Sequence, residues 1–366
     1  MRFGDSRIAG LVFRVQDNDA LWQISRKGLP QLVTCLPDAH YSNTAAYVVF
    51  AHQNVLWITG GQQPGVRRVS PEAAEGHLFQ FSAWAEDDRA IYFTEQWNEN
   101  NQPKSEIWSF DPVSGQAQPL TQTADVFEYD PRPWPGKPER VLYYVVPADL
   151  SVSEGLNGFL IGRMEDGREV LLTNNPVFLG DDFDPQGNQL LYGTVYGPFL
   201  WTESGEQPFD FASFTVPDRT ITRVFGPVWS PDGQKVAMAA EAAEVQGVGV
   251  AVFDLSNRTG VFLRPHDNQD PLKLSWSADS QWLALVTSAF DEAESGTWLL
   301  AADGSQERQL STYPSPAPAL WSPTGQQLLY YDPDSQPDVS IWLLESPDTE
   351  PVAMDLPIAD LLRWNQ

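Results

Sequence analysis

Four histidines, one cysteine and two acidic runs are the residues of this chain whose chemistry could reach beyond packing. His40, His52, His77 and His266 are scattered, and none pairs with another at the H-x-x-x-H spacing that grips a metal from one helix face. His40 and His77 each precede a recurring aromatic position, so a metal-assisted hydrolase or lyase would have to be built around them. Asp181-Asp182-Phe183-Asp184 and the run from Asp332 to Asp338 bring carboxylates close together. The second run lacks the turn glycine and the closing bidentate glutamate of a calcium loop, and its two prolines suit an exposed loop. No G-x-S-x-G elbow, P-loop or G-x-G-x-x-G is present. No catalytic set, metal or cofactor is expected.

Binding chemistry is better represented. Thr94 to Asn101 sets Trp97 beside Asn98 in a polar stretch, Tyr196 sits in Tyr196-Gly197-Pro198, and Tyr331 is followed by Asp332. Aromatic rings beside amides and acids are what protein-binding surfaces use. Trp97, Asn98, Tyr196, Tyr331 and Asp332 are therefore the expected contacts, and a protein or peptide is the expected partner. A channel-centred hydrolase or lyase, or a small-molecule or glycan binder, is the alternative.

The elements that must carry these residues follow from a repeat. Trp229-Ser230-Pro231-Asp232-Gly233 precedes Val236-Ala237-Met238, and Trp321-Ser322-Pro323-Thr324-Gly325 precedes Leu328-Leu329-Tyr330. Trp276-Ser277-Ala278-Asp279-Ser280 and Phe183-Asp184-Pro185-Gln186-Gly187 are further copies, with weaker ones at Trp84 and Tyr41. Taking Tyr41, Trp84, Tyr129, Phe183, Trp229, Trp276, Trp321 and Trp364 as anchors, the spacing is 43 to 54 residues. That length suits a unit of four short antiparallel strands, a propeller blade. Val, Ile, Leu and aromatic residues fill the expected strands, and Gly, Asp, Asn and Pro fill the turns. The anchor rings are expected to wedge between blades with their indole N–H groups on backbone partners. Asp232 is expected to shape its turn.

The fold expected is all-β, a single eight-bladed β-propeller in one domain. Its blades span about 358–366 with 8–34, then 37–70, 78–121, 126–173, 176–211, 221–265, 270–311 and 315–355. Residues 8–34 hold only three strands, and Ile358 to Trp364 resembles the missing innermost one. Pairing these ends would close the ring and remove open sheet edges. Seven blades is the alternative if the N-terminal strands pack elsewhere.

Composition narrows the partners. The 366 residues carry a net charge of -27 with a pI near 4.3, which repels phosphate backbones and argues against nucleic acid. Basic or neutral partners are favoured. Arg26-Lys27 and Arg67-Arg68 are isolated pairs and read as solvated turn residues. The single cysteine, Cys35, allows no intrachain disulfide and is expected to pack. No apolar run is long enough to span a membrane, and the N-terminus shows no signal peptide. A soluble, cytoplasmic monomer is expected.

With the W-S-P-D-G phrase before L-x-Y or V-A-x strands, the chain resembles the TolB-like, PD40-type (WD40-like) β-propellers along essentially its whole length. That family includes periplasmic scaffolds and the propeller domains of prolyl-oligopeptidase-type peptidases. The blades account for residues 8–366 and leave no room for a hydrolase domain, so the resemblance implies a stand-alone propeller acting as an interaction scaffold.

Overall fold

The computed structural model describes residues 5–15, 20–35, 39–44, 46–61, 65–123, 126–147, 156–266, 273–287, 295–313, 315, 318–336, 339–354, 356 and 359–364. The fold is an all-β, eight-bladed propeller of antiparallel sheets. The first sheet begins with β1 (Leu11–Val15), β2 (Leu21–Ile24) and β3 (Pro30–Thr34). The second holds β4 (His40–Tyr41), β5 (Tyr47–His52), β6 (Val55–Gly60) and β7 (Val66–Arg68). The third holds β8 (Leu78–Trp84), β9 (Ile91–Glu99), β10 (Gln102–Asp111) and β11 (Gln116–Pro119). The fourth holds β12 (Val126–Trp134), β13 (Lys137–Pro147), β14 (Leu156–Arg163) and β15 (Glu169–Leu171), and β16 (Val177–Phe178) adds to β14. The fifth holds β17 (Asp181–Phe183), β18 (Gln189–Thr194), β19 (Gly197–Thr202) and β20 (Gly205–Pro208). The sixth holds β21 (Ile221–Trp229), β22 (Lys235–Ala242), β23 (Val248–Asp254) and β24 (Thr259–His266). The seventh holds β25 (Lys273–Trp276), β26 (Trp282–Thr287), β27 (Gly296–Ala301) and β28 (Glu307–Ser311). The eighth holds β29 (Leu320–Trp321), β30 (Leu328–Gln336), β31 (Val339–Leu344) and β32 (Val352–Ala353).

The last strand, β33 (Ala359–Trp364), completes the first sheet rather than the eighth. It pairs antiparallel with β1, placing Leu11 opposite Trp364, Phe13 opposite Leu361 and Val15 opposite Ala359. The two chain ends therefore meet in one sheet, and Trp364 lies in the same apolar cluster as Leu11 and Phe13. The chain resolves into two compact units, one of Met1–Cys35, Leu179–Leu200 and Gln207–Gln366, the other of Leu36–Phe178 and Trp201–Glu206. Among the described residues no helix is long and apolar enough to cross a membrane. Cys35, one residue past the edge strand β3, is exposed rather than packed.

The repeated phrase makes recurring contacts in its regular copies. Its indole N–H reaches back to the preceding sheet: Trp276 Nε1 donates to the Val228 carbonyl at 3.0 Å, and Trp321 Nε1 to that of Ser275 at 3.1 Å. Trp229 Nε1 reaches the Asp182 carbonyl at 3.1 Å. In each case the acceptor stands one residue before the preceding anchor. The second residue of the phrase is a buried oxygen that accepts the first N–H of the next strand: Ser230 from Lys235 at 2.9 Å, Ser277 from Trp282 at 2.9 Å, Asp184 from Gln189 at 2.8 Å. Ser230 also donates to Asp232 at 2.6 Å. Burial opposes ionisation of Asp232, but the bonds from Ser230 and the Gln234 N–H leave its carboxyl below the usual range.

The fifth residue takes left-handed backbone, as glycine at Gly187, Gly233 and Gly325 and as a side chain at Asp88 and Ser280, both with φ of 59°. Left-handed φ costs an L-residue about 1–2 kcal/mol. These two side chains offset it by clamping the preceding turn. Asp88 accepts from the Asn43 and Thr44 N–H groups at 2.6 and 2.7 Å, and Ser280 accepts from the Asp232 N–H at 3.1 Å.

Tyr129, expected as the anchor of the fourth sheet, is displaced from that role. A register shift between Tyr129 and Arg132, with Asp130 at φ 52°, moves the strand end onward, and Trp134 is the fully buried ring. Trp134 meets Trp201 edge-on with centroids 5.7 Å apart, and a Cβ on Gly162 would come within 2.5 Å of its ring. Tyr129 instead stacks on Tyr144.

Asp88→Ala is expected to destabilise the protein by about 2–3 kcal/mol, since it keeps the left-handed backbone and strips the acceptor from two N–H groups. Asp88→Gly should recover about 1 kcal/mol of that loss. Urea midpoints check both; equal midpoints for the two variants would refute the left-handed cost, and a parent-like midpoint for Asp88→Gly would refute the clamp.

Candidate functional site

The stretch from Thr94 to Asn101, expected as a loop, is mostly strand. β9 runs to Glu99, β10 starts at Gln102, and only Asn100 and Asn101, at φ 53° and 63°, make the turn. The sequence carries a period-two signal for this: Phe93, Glu95, Trp97 and Glu99 alternate with Thr94, Gln96 and Asn98. In the second sheet the corresponding hairpin closes at Gln53 and Asn54. The first pairs of the two hairpins, Tyr41 with Val48 and Trp84 with Ile91, are 43 residues apart, so Gln53-Asn54 corresponds to Gln96-Trp97. The third-sheet hairpin thus projects four residues further, about 13 Å at strand rise.

Its two faces do different work. One face is apolar at its base: Phe79, Phe93 and Phe110 join Val49, Leu56 and Ile58 of the second sheet in one cluster. Further out on this face, register places Glu95 opposite Glu106 and Trp97 opposite Lys104. His77 Nδ1 lies 2.7 Å from Glu95 Oε1, and Trp108 Nε1 donates to Glu95 Oε2 at 3.2 Å. The His77 ring stacks on Trp97 at 5.0 Å with an interplanar angle of 4°. Trp97 is half-buried and Asn98 is exposed at the tip. Burial, and then the Glu95 charge opposite, pushes the Glu106 carboxyl up.

The other face fastens the hairpin to the fourth sheet. Ser105 Oγ donates to the Glu128 carbonyl at 2.5 Å and accepts the Glu128 N–H at 2.6 Å. The Glu128 carboxylate, on a residue 1% exposed, accepts from the hydroxyls of Thr121 and Thr123. Burial pushes this carboxyl up to about 6 against those two hydrogen bonds, with the charges of Glu169 and Glu106 adding to the rise. Glu95, His77, Lys104, Glu106 and Glu128 were not singled out from sequence as a set, because they come together only across strands.

The remaining expected contacts stand apart. Tyr196, 80% exposed beside the exposed Val195, forms the turn between β18 and β19. Tyr331 lies within β30, half-buried and edge-on to Tyr313 at 5.4 Å. Asp332 is 3% exposed, and its carbonyl accepts the Trp342 indole N–H at 2.9 Å. Of the first acidic run, Asp182 accepts the Trp229 N–H at 2.7 Å and Asp184 caps its turn. The second run extends to residues 337 and 338, outside the described residues. His40 stacks on Phe81 at 4.3 Å, and the His266 side chain is outside the description. Among the described residues no three His, Cys, Asp or Glu side chains are grouped to hold a metal ion.

No family model matches the chain, and no curated protein matches its sequence. Solved structures are similar in fold. Dihydro-heme d1 dehydrogenase NirN in complex with DHE matches with a TM-score of 0.60 at 14% identity, over 98% of this chain and 75% of that one. Porphyromonas gingivalis dipeptidyl peptidase 4 matches at 0.58 and 11%, over 87% and 54%. Oligogalacturonate lyase from Vibrio parahaemolyticus matches at 0.53 and 11%, over 93% and 97%. At these identities the likeness is one of fold and supports the propeller.

The raised Glu128 carboxyl sets the sign of a pH effect. Its native value lies above the unfolded one near 4.5, so between 4.5 and 6 the folded chain binds more proton. This group's contribution is greatest below pH 4.5 and falls as pH rises through 6, by about 2 kcal/mol. Glu128→Gln removes that fall. Relative to the parent, the variant should gain about 2 kcal/mol in stability between pH 4.5 and pH 7.5, read from denaturant midpoints; a constant difference would disprove the ionisation.

Proposed function

We propose that this chain is a non-catalytic interaction module that docks a protein or peptide partner on the projecting β9–β10 hairpin. The observation that carries the reading is the state of Trp97. It is a half-exposed aromatic ring, pre-stacked on His77 level with the neighbouring sheet's turn, with His77 itself bonded to Glu95. A ring already held loses little freedom on binding, which is what an anchor residue needs. Asn98, exposed beside it, supplies an adaptable amide. His40 and His77, the residues an enzyme would use, are engaged with Phe81 and with Glu95 and Trp97.

Tyr196 is proposed as a separate contact on the strength of its exposure. Tyr331 is half-buried against Tyr313, and the burial of Asp332 keeps its side chain from direct contact. The net charge of -27 favours a basic or neutral partner and rapid, salt-sensitive encounter. The motif's likeness to TolB-type scaffolds agrees with a binding role.

A photo-crosslinking residue at position 98 tests the reading against one at Val113, also exposed, in the turn between β10 and β11. Adducts to protein partners are expected from position 98 and should fall at least fivefold with Trp97→Ala. Equal yields from both positions, or yields indifferent to Trp97, would refute it.

A further inference from the structure

The outer part of the hairpin face holds more negative charge than it neutralises. Glu95 and Glu106 face each other across adjacent strands, and Glu99 lies two rows further out, beyond Trp97 and opposite Gln102. Like charges directly opposite each other in a sheet are destabilising. Lys104, 9% exposed and opposite Trp97, supplies one cation, and His77 is already bonded to Glu95. Burial first, and then the Glu95 charge, raises the Glu106 carboxyl. Trp97 stands one row, about 7 Å along the backbone, from the Glu95–Glu106 pair. That distance matches an arginine or lysine side chain lying along the ring with its charged head between the carboxylates. Cations over an indole within about 6 Å of the ring centre gain further attraction.

We infer that the hairpin recognises a basic side chain, arginine or lysine, in an extended segment of the partner, with Trp97 taking the stem and Glu95, Glu99 and Glu106 the charge. This rests on the hairpin being the docking surface. Extended backbone suits the occupant because the receiving face is itself a strand pair, with rows at a fixed interval. The bound cation would relieve the repulsion that the free protein carries between Glu95 and Glu106. Arginine is the better fit, since its planar group can meet two carboxylates at once.

The test selects peptides from a random displayed library against the full chain and measures the best binder by fluorescence anisotropy. Selected peptides are expected to carry arginine or lysine, and replacing these by citrulline or norleucine should weaken binding at least tenfold. Glu99→Gln with Glu106→Gln should weaken the parent peptide to a similar degree. A control with the same charge change elsewhere, Asp218→Asn with Glu350→Gln, should stay within twofold. Circular dichroism and urea midpoints confirm that each variant is folded, and Trp97→Phe serves if Trp97→Ala is not. Equal binding to neutralised peptides, or equal loss in the control, overturns the inference. If binding depends on Trp97 but is indifferent to peptide charge, the docking surface stands and the basic partner falls. If no selected peptide depends on Trp97, both fall.

Discussion

A buried indole N–H bonded to a carbonyl of the preceding sheet is the contact on which the rest is built. A tryptophan can fill the space between two twisted sheets, and Trp229, Trp276 and Trp321 each satisfy their N–H on the carbonyl before the preceding anchor, whereas the buried Trp84 N–H has no hydrogen-bond partner among the described residues. The serine or aspartate after the anchor satisfies the next strand's first N–H, and the fifth residue turns the chain in left-handed backbone. Each phrase therefore ties its own hairpin and its neighbour together. Trp364 varies the theme: its N–H goes to the Ala9 carbonyl, within the sheet formed by the two chain ends.

The stiffness of this frame makes the third-sheet hairpin informative. Its base is held by the phenylalanine cluster on one side and by Ser105 and Glu128 on the other, so the part that projects is held from both faces. What it presents is a tryptophan stacked on a histidine, above two opposed glutamates. Alternation along β9 brings apolar and acidic residues onto one face in turn. The same face is buried core at Phe93 and solvent-facing acid at Glu99. The change from core to surface is set by where the neighbouring sheet's hairpin stops.

The repeat made most of the fold legible. Anchor spacing located the blades, and the similarity of Ile358–Trp364 to Ala317–Trp321 pointed to the pairing of β33 with β1. The legibility stopped at irregular copies. Tyr129 stood in the anchor's place by spacing, yet a bulge handed the buried position to Trp134 five residues on. The stretch around Trp97 read as a loop because its polar residues outweighed its alternation. Tyr331 and Asp332 read the same way and lie in β30. Cys35 looked like the end of a packed strand but follows an edge strand, where one side has no neighbour.

By itself the sequence determined the repeat, the turn chemistry and the aromatic anchors of the regular copies, because hydrophobic alternation and turn preferences are local and recur from copy to copy. Only the tertiary structure decided that Glu95 faces Glu106, that His77 stacks on Trp97, and that Glu128 is sealed beneath Thr121 and Thr123. These are pairings across strands, fixed by register and by the differing reach of neighbouring hairpins. A one-residue slip would turn each side chain to the opposite face.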